Sequence, residues 1–197
     1  MSPLPALTAD QQKLNDLWDA HLRAEFEAHS ADEAIKTMVA NPLVNHVPVM
    51  TGGSGREEVY EFYAKHFLNQ TPPDMEMVPV SRTIGQDRVV DEIVARFTHT
   101  IPMDLMLPGI PPTGKRVEIA FVVVAQFDGD KLAQEHLYWD QASVLVQVGL
   151  LEPAGLPVVG MEGTRSVLDR SIPLNALIRR AKATTRRMTN QSAADYS

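Results

Sequence analysis

Apolar residues recur at three- and four-residue spacing from about residue 9 to residue 29. Leu14, Leu17, Trp18, Leu22 and Phe26 share one stripe, which predicts an amphipathic helix capped by Thr8 or Asp10. A second, shorter helix is expected over 31–39, begun by Ser30 or Asp32 and stopped by Asn41-Pro42. The stretch LVNHVPVM (43–50) reads as a short strand edged by Pro48, and TGGSG (51–55) as a turn. Val59, Phe62, Tyr63, His66 and Phe67 then mark one face of a third helix, about 56–69.

From Met75 the period drops to two. MEMVPVSRTIGQDRVVDEIVARFTHTI predicts two strands joined at Gly85-Gln86-Asp87. A proline-rich loop, LMLPGIPPTG, leads to Lys115. Two long strands follow, VEIAFVVVAQF and KLAQEHLYWDQASVLV, joined at Asp128-Gly129-Asp130. The first is nearly continuous in apolar residues, as suits a strand buried on both faces. Three helices followed by a meander of about four long strands predict an α+β domain over residues 1–150. Residues 151–197 have weaker periodicity, several prolines and a helix near 173–187. They read as an extension packed on the domain, with a frayed end at 190–197.

Composition narrows the function classes. A chain of 197 residues can bury a real core without staples, and it contains no cysteine, which removes disulfides, thiolate metal sites and a thiol nucleophile. A net charge of −7 argues against sequence-independent nucleic-acid binding. The basic run Arg179, Arg180, Lys182, Arg186 and Arg187 reads as a solvated helix face or a salt-bridging tail. No stretch of about 18 apolar residues exists, so no membrane span is expected. The first residues lack the basic-then-apolar pattern of a signal peptide, so a cytoplasmic location is expected.

Two segments carry a family resemblance. Ser54-Gly55-Arg56-Glu57-Glu58-Val59-Tyr60-Glu61-Phe62-Tyr63 resembles the start of the third helix in the nuclear transport factor 2-like superfamily. Asp130-Lys131-Leu132, Glu135-His136, Trp139-Asp140 and VLVQVG (144–149) resemble the closing strand of its SnoaL-like members, the polyketide cyclase and ester cyclase type. The resemblance spans roughly residues 9–150. It implies a cone: three N-terminal helices on a strongly curved, mostly antiparallel sheet, around an apolar pocket, in a homodimer formed through sheet faces. HVPVMTGGSGR with EHLYWDQASVLVQVGLL is also similar to SnoaL-like proteins labelled as carboxymethylenebutenolidase relatives. A dienelactone hydrolase proper needs a nucleophile elbow and a Cys–His–Asp set, and this chain has neither cysteine nor G-x-S-x-G.

The resemblance also implies site residues. His46 stands nine residues before Gly55, where ketosteroid isomerase places its catalytic carboxylate. An imidazole there can take or give a proton near neutral pH; the alternative is a neutral rim histidine bonded to backbone. Asp140 stands nine residues before Gly149, comparable to the acid/base aspartate of SnoaL-like cyclases. The alternative for it is a cap on the following turn. On that strand Glu135, Leu137 and Trp139 share one face, and His136, Tyr138 and Asp140 the other. The isomerase match favours the Glu135 face and the cyclase match favours Asp140, so both remain open. Phe97, Phe121, Val123 and Trp139 are expected to form the pocket wall, with Trp139 equally suited to the core. His99 and Asp104 border the mouth loop, His99 fitting a structural role better. The isomerase oxyanion donors are missing: no tyrosine lies near Leu22, and the penultimate-strand position falls near Val123. The neighbouring strand, FVVVAQF, also lacks the histidine partner of the cyclases. Donors are therefore expected from Tyr63, His46 or a water.

No His/carboxylate set at ligand spacing is apparent, so no metal and no cofactor are expected. The leading expectation is cofactor-free acid/base chemistry (isomerisation, cyclisation or dehydration) on a small apolar carbonyl or lactone compound, with His46 and Asp140 as the pair. The competing expectations are a non-catalytic small-ligand binder or dimeric scaffold, and a hydrolase of an ester or enol-lactone.

Overall fold

The structure, a computed structural model, describes residues 6–183. Helix α1 (Ala9–Phe26) opens on a capping box: Thr8 accepts from the Gln11 N–H while the Gln11 side chain accepts from the Thr8 N–H. It stops at Phe26, short of the expected end at 29, where His29 takes a positive φ of 46°. Helix α2 (Ala31–Lys36) is capped by Ser30. The chain turns extended at once, so β1 (Met38–His46) begins inside the region expected to be helical.

The turn after β1 is 47–50, where the Met50 N–H reaches the His46 carbonyl and Met50 sits at φ 55°. The expected turn TGGSG is instead largely a strand, β2 (Thr51–Ser54). Its glycines let two neighbours come close. A Cβ on Gly52 would lie 2.0 Å from the Val44 carbonyl oxygen, and one on Gly53 would lie 2.6 Å from the backbone at Glu58–Val59. Helix α3 (Arg56–Phe62) continues into a π-helical turn at Tyr63–Phe67 and a 3₁₀ turn at Leu68–Gln70.

Strands β3 (Glu76–Ile84), β4 (Arg88–Thr98), β5 (Arg116–Asp128) and β6 (Lys131–Tyr138) follow as an antiparallel meander. Strand β1 closes the sheet by pairing parallel to β6, so the order is β2-β1-β6-β5-β4-β3. Register breaks at Met38/Leu43, Pro79/Ser81 and Gln126/Phe127 put bulges in three of the pairings, which bend the sheet. The inner face carries Val89, Phe97, Ile119, Phe121 and Phe127 into the core, against Trp18 of α1 and Val59 and Phe62 of α3.

Two expectations need correction here. The strand expected over 131–146 ends at Tyr138, and its second half is helix α4 (Gln141–Gln147), capped by Asp140. Its apolar run fits either element, and the cap at Asp140 chooses the helix. Strand β5 is also not buried throughout on its outer side: Val122 is 38% exposed beside its cross-strand neighbour Tyr138 at 43%. Beyond α4, helix α5 (Met161–Leu168), not anticipated from the sequence, lies on β5. There Thr164 donates to the Glu118 carbonyl at 3.0 Å, and Arg165 grips the Glu118 carboxylate through two nitrogens. Residues 176–183 are helical. The remainder of the helix expected to 187, Arg186, Arg187 and the end at 190–197 lie outside the described residues.

Candidate active site

Helix α1, the π-helical turn and the loop between β4 and β5 roof a cavity whose floor is the inner face of the sheet. The space within the cavity and in the open solvent at its mouth together comes to about 820 Å³. Its walls are apolar and flexible in character: Met75, Met77, Met103 and Met106 line it together with Phe97 and Phe121. The loop is held over it by the Thr51 hydroxyl, which donates to the Leu105 carbonyl (2.7 Å), and by the Gln141 amide on the Met106 carbonyl (3.0 Å). At the mouth, Asp104 receives His66 and Gln70, at 2.8 and 3.0 Å.

Buried ionisable side chains border this apolar space at two places. The first is built by α1 and β6. His21 and Glu25 sit one turn apart on the buried stripe of α1, and β6 brings Glu135 to face them. His21 Nε2 lies 3.0 Å from Glu25 Oε1 and 3.9 Å from Glu135 Oε2. The Tyr63 hydroxyl, at the head of the π-helical turn, stands 3.3 Å from His21 Nε2 and donates to Glu135 Oε2 at 3.4 Å. The other face of His21 fixes its protons. The Thr37 hydroxyl donates its only hydrogen to the Ala34 carbonyl at 2.6 Å, so toward His21 Nδ1, also at 2.6 Å, it can only accept. Nδ1 therefore carries a hydrogen whenever this contact is made, and proton exchange is left to Nε2, which faces the carboxylates.

Burial and neighbouring charge set the protonation of the cluster. Loss of water pulls the His21 pKa down, but Glu25, bonded to it, and Glu135 more than reverse this, and it ends above its ordinary value. For Glu135, burial and the Glu25 charge push the carboxyl up to about 8, against the opposing pull of His21 and Tyr63. Burial drives the Tyr63 phenol well above its usual range. The cluster thus favours a proton on His21, facing Glu25, and holds Glu135 as a carboxylic acid at neutral pH.

A brace behind the cluster keeps α1 in place. Arg82 makes two bonds to Asp91 (2.7 and 2.8 Å) and one to Asp19 (2.6 Å), and Asp91 also accepts from the Trp18 indole at 2.8 Å. Trp18 in turn stacks on His21, ring centres 5.6 Å apart.

The second polar place is His46, at the end of β1. It is as buried as His21 but sits among rings: Phe62 at 5.2 Å, Trp139 at 5.9 Å and Phe67 at 6.4 Å between centres. Its Nδ1–H donates to the Thr51 carbonyl at 3.2 Å, and Nε2 has no hydrogen-bond partner among the described residues. Burial lowers its pKa to about 4, and the Thr51 carbonyl and distant Glu25 charge do not offset this. At neutral pH His46 is uncharged.

Of the residues expected from the sequence, His46, Glu135, Tyr63, Phe97, Phe121 and Val123 line the cavity. Trp139 stands behind it, packed on Phe121 (5.5 Å) and His46, with its indole N–H on Gln141. Asp140 is not among them. Its carboxylate is exposed and accepts from the Ser143 N–H at 3.0 Å as the cap of α4, so it is the capping alternative that the structure realises. His136 and Tyr138 lie on the outer face with their rings 6.5 Å apart. Alternation of the strand decides this: Glu135 and Leu137 reach the cavity, so their neighbours point away. His99 is buried outside the cavity lining with Nδ1 toward Thr113, and its Nε2 lacks a partner among the described residues.

Sequence reading missed His21 and Glu25. The signal was present: Leu14, Trp18, His21 and Glu25 follow one helical stripe, so two ionisable residues interrupt a buried face. Their partner Glu135 is 110 residues away from Glu25 in sequence, which is why no local motif shows the cluster. One donor atom from each of His21, Glu25 and Glu135 lies within 4.8 Å of the others, near enough to share a cation, a grouping the sequence also did not suggest. In the structure these atoms are engaged by one another and by Tyr63.

With the geometry described, its likeness to known proteins can be stated. A protein-family profile described as the SnoaL-like domain matches residues 18–135, more than half of the chain. No curated protein matches the chain. Among solved structures, a candidate SnoaL-like polyketide cyclase from Jannaschia sp. CCS1 aligns with a TM-score of 0.59 at 17% identity, over 76% of this chain and 100% of that one. AclR, a candidate hydroxylase from Streptomyces galilaeus, aligns with a TM-score of 0.57 at 16% identity, over 93% of this chain and 98% of its own. A candidate polyketide cyclase from Acidithiobacillus ferrooxidans aligns at 0.51 and 20% identity, covering 74% and 98%. At such identities these likenesses establish the shared fold, the nuclear transport factor 2-like cone expected from the sequence.

Proposed function

We propose that this chain, which belongs to the SnoaL-like domain family, binds a small apolar carbonyl compound in its cone and moves a proton on it by acid/base catalysis. The observation that carries this reading is Glu135. It is a carboxylic acid held protonated at neutral pH, lining an apolar cavity and backed by the His21–Glu25 pair. A carboxyl group able to give a proton, facing a second one able to take one, is what enolisation, isomerisation or an aldol-type ring closure requires.

The steps are chemically simple. Glu135 gives its proton to the carbonyl oxygen of the ligand as the Glu25 carboxylate takes a hydrogen from the neighbouring carbon, leaving an enol. Returning a proton to a different carbon isomerises the compound, and attack of the enol carbon on a second carbonyl closes a ring. The pair is then reset along Glu25, His21, Tyr63 and Glu135, whose successive contacts are 3.0, 3.3 and 3.4 Å. Nδ1 of His21, held by Thr37, takes no part in this transfer. The acid/base pair in this reading is Glu135 and Glu25 in place of His46 and Asp140, because Asp140 faces solvent and His46 is a weak base.

The experiment is hydrogen–deuterium exchange at the carbon next to the carbonyl, followed by proton NMR in D₂O with 1-tetralone, 2-cyclohexenone and a butenolide. Exchange in at least one compound should exceed that in buffer, and Glu135→Gln and Glu25→Gln should each lower it about a hundredfold or more. Wild-type protein no faster than buffer with all three, or unaffected variants, would overturn the reading. Binding without exchange would point to a non-catalytic carrier.

A further inference from the structure

Among the polar side chains of the cavity, Glu25 and Tyr63 have His21, Glu135 has Tyr63, and Gln70 is bonded to Asp104 on both ends of its amide. His46 is different. Its Nδ1–H is committed to the Thr51 carbonyl, which can only accept, so Nε2 is the bare nitrogen of a neutral imidazole. That nitrogen has no partner among the described residues, although His46 is only 2% exposed and lines the cavity. A ring of Phe62, Phe67 and Trp139 holds the imidazole in this orientation and offers it no donor nearby. The Trp139 N–H is taken by Gln141.

We infer that His46 Nε2 is a fixed hydrogen-bond acceptor for a hydroxyl group of the ligand, so that hydroxylated apolar carbonyl compounds are preferred over simple ketones. This rests on the reading of the cavity as the substrate site and adds a second anchor to it. A hydroxyl fits because the nitrogen can only accept, and a cationic donor would meet an otherwise apolar box at this point. If a water fills the position in the free protein, the conclusion is unchanged. A ligand that displaces such a water without supplying a donor loses the bond and gains nothing for it.

The spacing of the two anchors follows from the sheet. In the parallel pairing of β1 with β6, Val44 is opposite Glu135 and His46 opposite Leu137. His46 thus stands two residues further along the neighbouring strand, which places its Cα about 8 Å from that of Glu135. Both anchors line the one cavity. The carbonyl and the hydroxyl of the ligand should therefore lie on opposite sides of a ring, not on adjacent atoms.

Three probes separate the possibilities: 6-hydroxy-1-tetralone, 1-tetralone and 6-methoxy-1-tetralone. The methoxy compound fills the space of the hydroxyl without a hydrogen to give. Titration followed by calorimetry or protein NMR should show the hydroxy compound binding wild-type protein about tenfold more tightly, or better, than either of the others. His46→Phe keeps an aromatic ring among Phe62, Phe67 and Trp139 but cannot accept, and should bring the three affinities to within about threefold. His46→Gln restores an acceptor and should recover part of the preference. Equal binding of the three by wild type, or a preference that survives in His46→Phe, overturns this inference alone. Failure of all three to bind overturns it together with the reading of the cavity as a ligand site. Loss of exchange chemistry with the hydroxyl preference intact would overturn the catalytic reading only.

Discussion

His21 and His46 are both shut away from water, His46 lining the cavity and His21 bonded to Glu25, which lines it, and both hold a hydrogen on Nδ1 through a single oxygen acceptor. Their protonation nevertheless runs in opposite directions. His21 is raised because Glu25 and Glu135 face it; His46, among three aromatic rings, is lowered to about 4. Burial alone would lower both, and the bonded Glu25 carboxyl with Glu135 is the chief cause that lifts His21 instead. In the proposed reading one end of the cavity relays protons and the other accepts a hydrogen bond: one place to react, one place to hold.

The largest effect that could break this comparison is structural. Replacing His21 by Leu leaves the Glu25 carboxylate buried without its partner and should cost about 3–5 kcal/mol in urea unfolding. The double change His21→Leu with Glu25→Met should recover most of that loss. At neutral pH His46→Phe, which removes no charge there, should change stability by no more than about 1 kcal/mol. Equal losses at the two histidines would mean that the charged cluster is not what distinguishes them.

Next in size is the pH response of the two ends. Glu135 has a folded pKa of about 8 against an ordinary 4.5, so the folded state binds its proton more tightly. The stability this contributes is complete below pH 4.5 and is lost as pH rises through 8. Glu135→Gln should therefore gain on wild type by a few kcal/mol, at most about 4, between about pH 5 and about pH 9. His46 runs the other way. Its folded pKa of about 4 lies below the ordinary 6.5, so its contribution is present above 6.5 and is lost as pH falls toward 4. His46→Phe should gain about 2 kcal/mol on wild type between about pH 7 and about pH 5. Unfolding curves at these pH values check both slopes, and slopes of one sign would refute the contrast.

The smallest effect marks where the site ends. Asp140→Ala removes the cap of α4 and should cost about 1 kcal/mol of stability. Exchange rates in that variant should stay within about twofold of wild type, since the carboxylate faces solvent. A hundredfold loss would return Asp140 to the chemistry.

The element order was legible because it rests on local signals. The stripe of α1, the alternation in β4 and the turns at Gly85-Gln86-Asp87 and Asp128-Gly129-Asp130 are each contained within a short window. Where local signals conflict, the reading went wrong. Residues 141–147 suit a strand or a helix equally, and the two glycines of β2 look like a turn until the approach of Val44 and Glu58 is seen. Helix α5 was missed because its place depends on Glu118, 47 residues before Arg165.

The sequence by itself determined the class of fold, the resemblance to the family and an apolar cavity with His46 at its wall, because periodicity and motif spacing are properties of neighbouring residues. The tertiary structure decided which face of β6 lines that cavity and that Asp140 is a cap. It also decided that His21 and Glu25 meet Glu135. The physical reason is the same in each case. The state of an ionisable group depends on charges and solvent within a few ångströms, and residues far apart in the chain supply them.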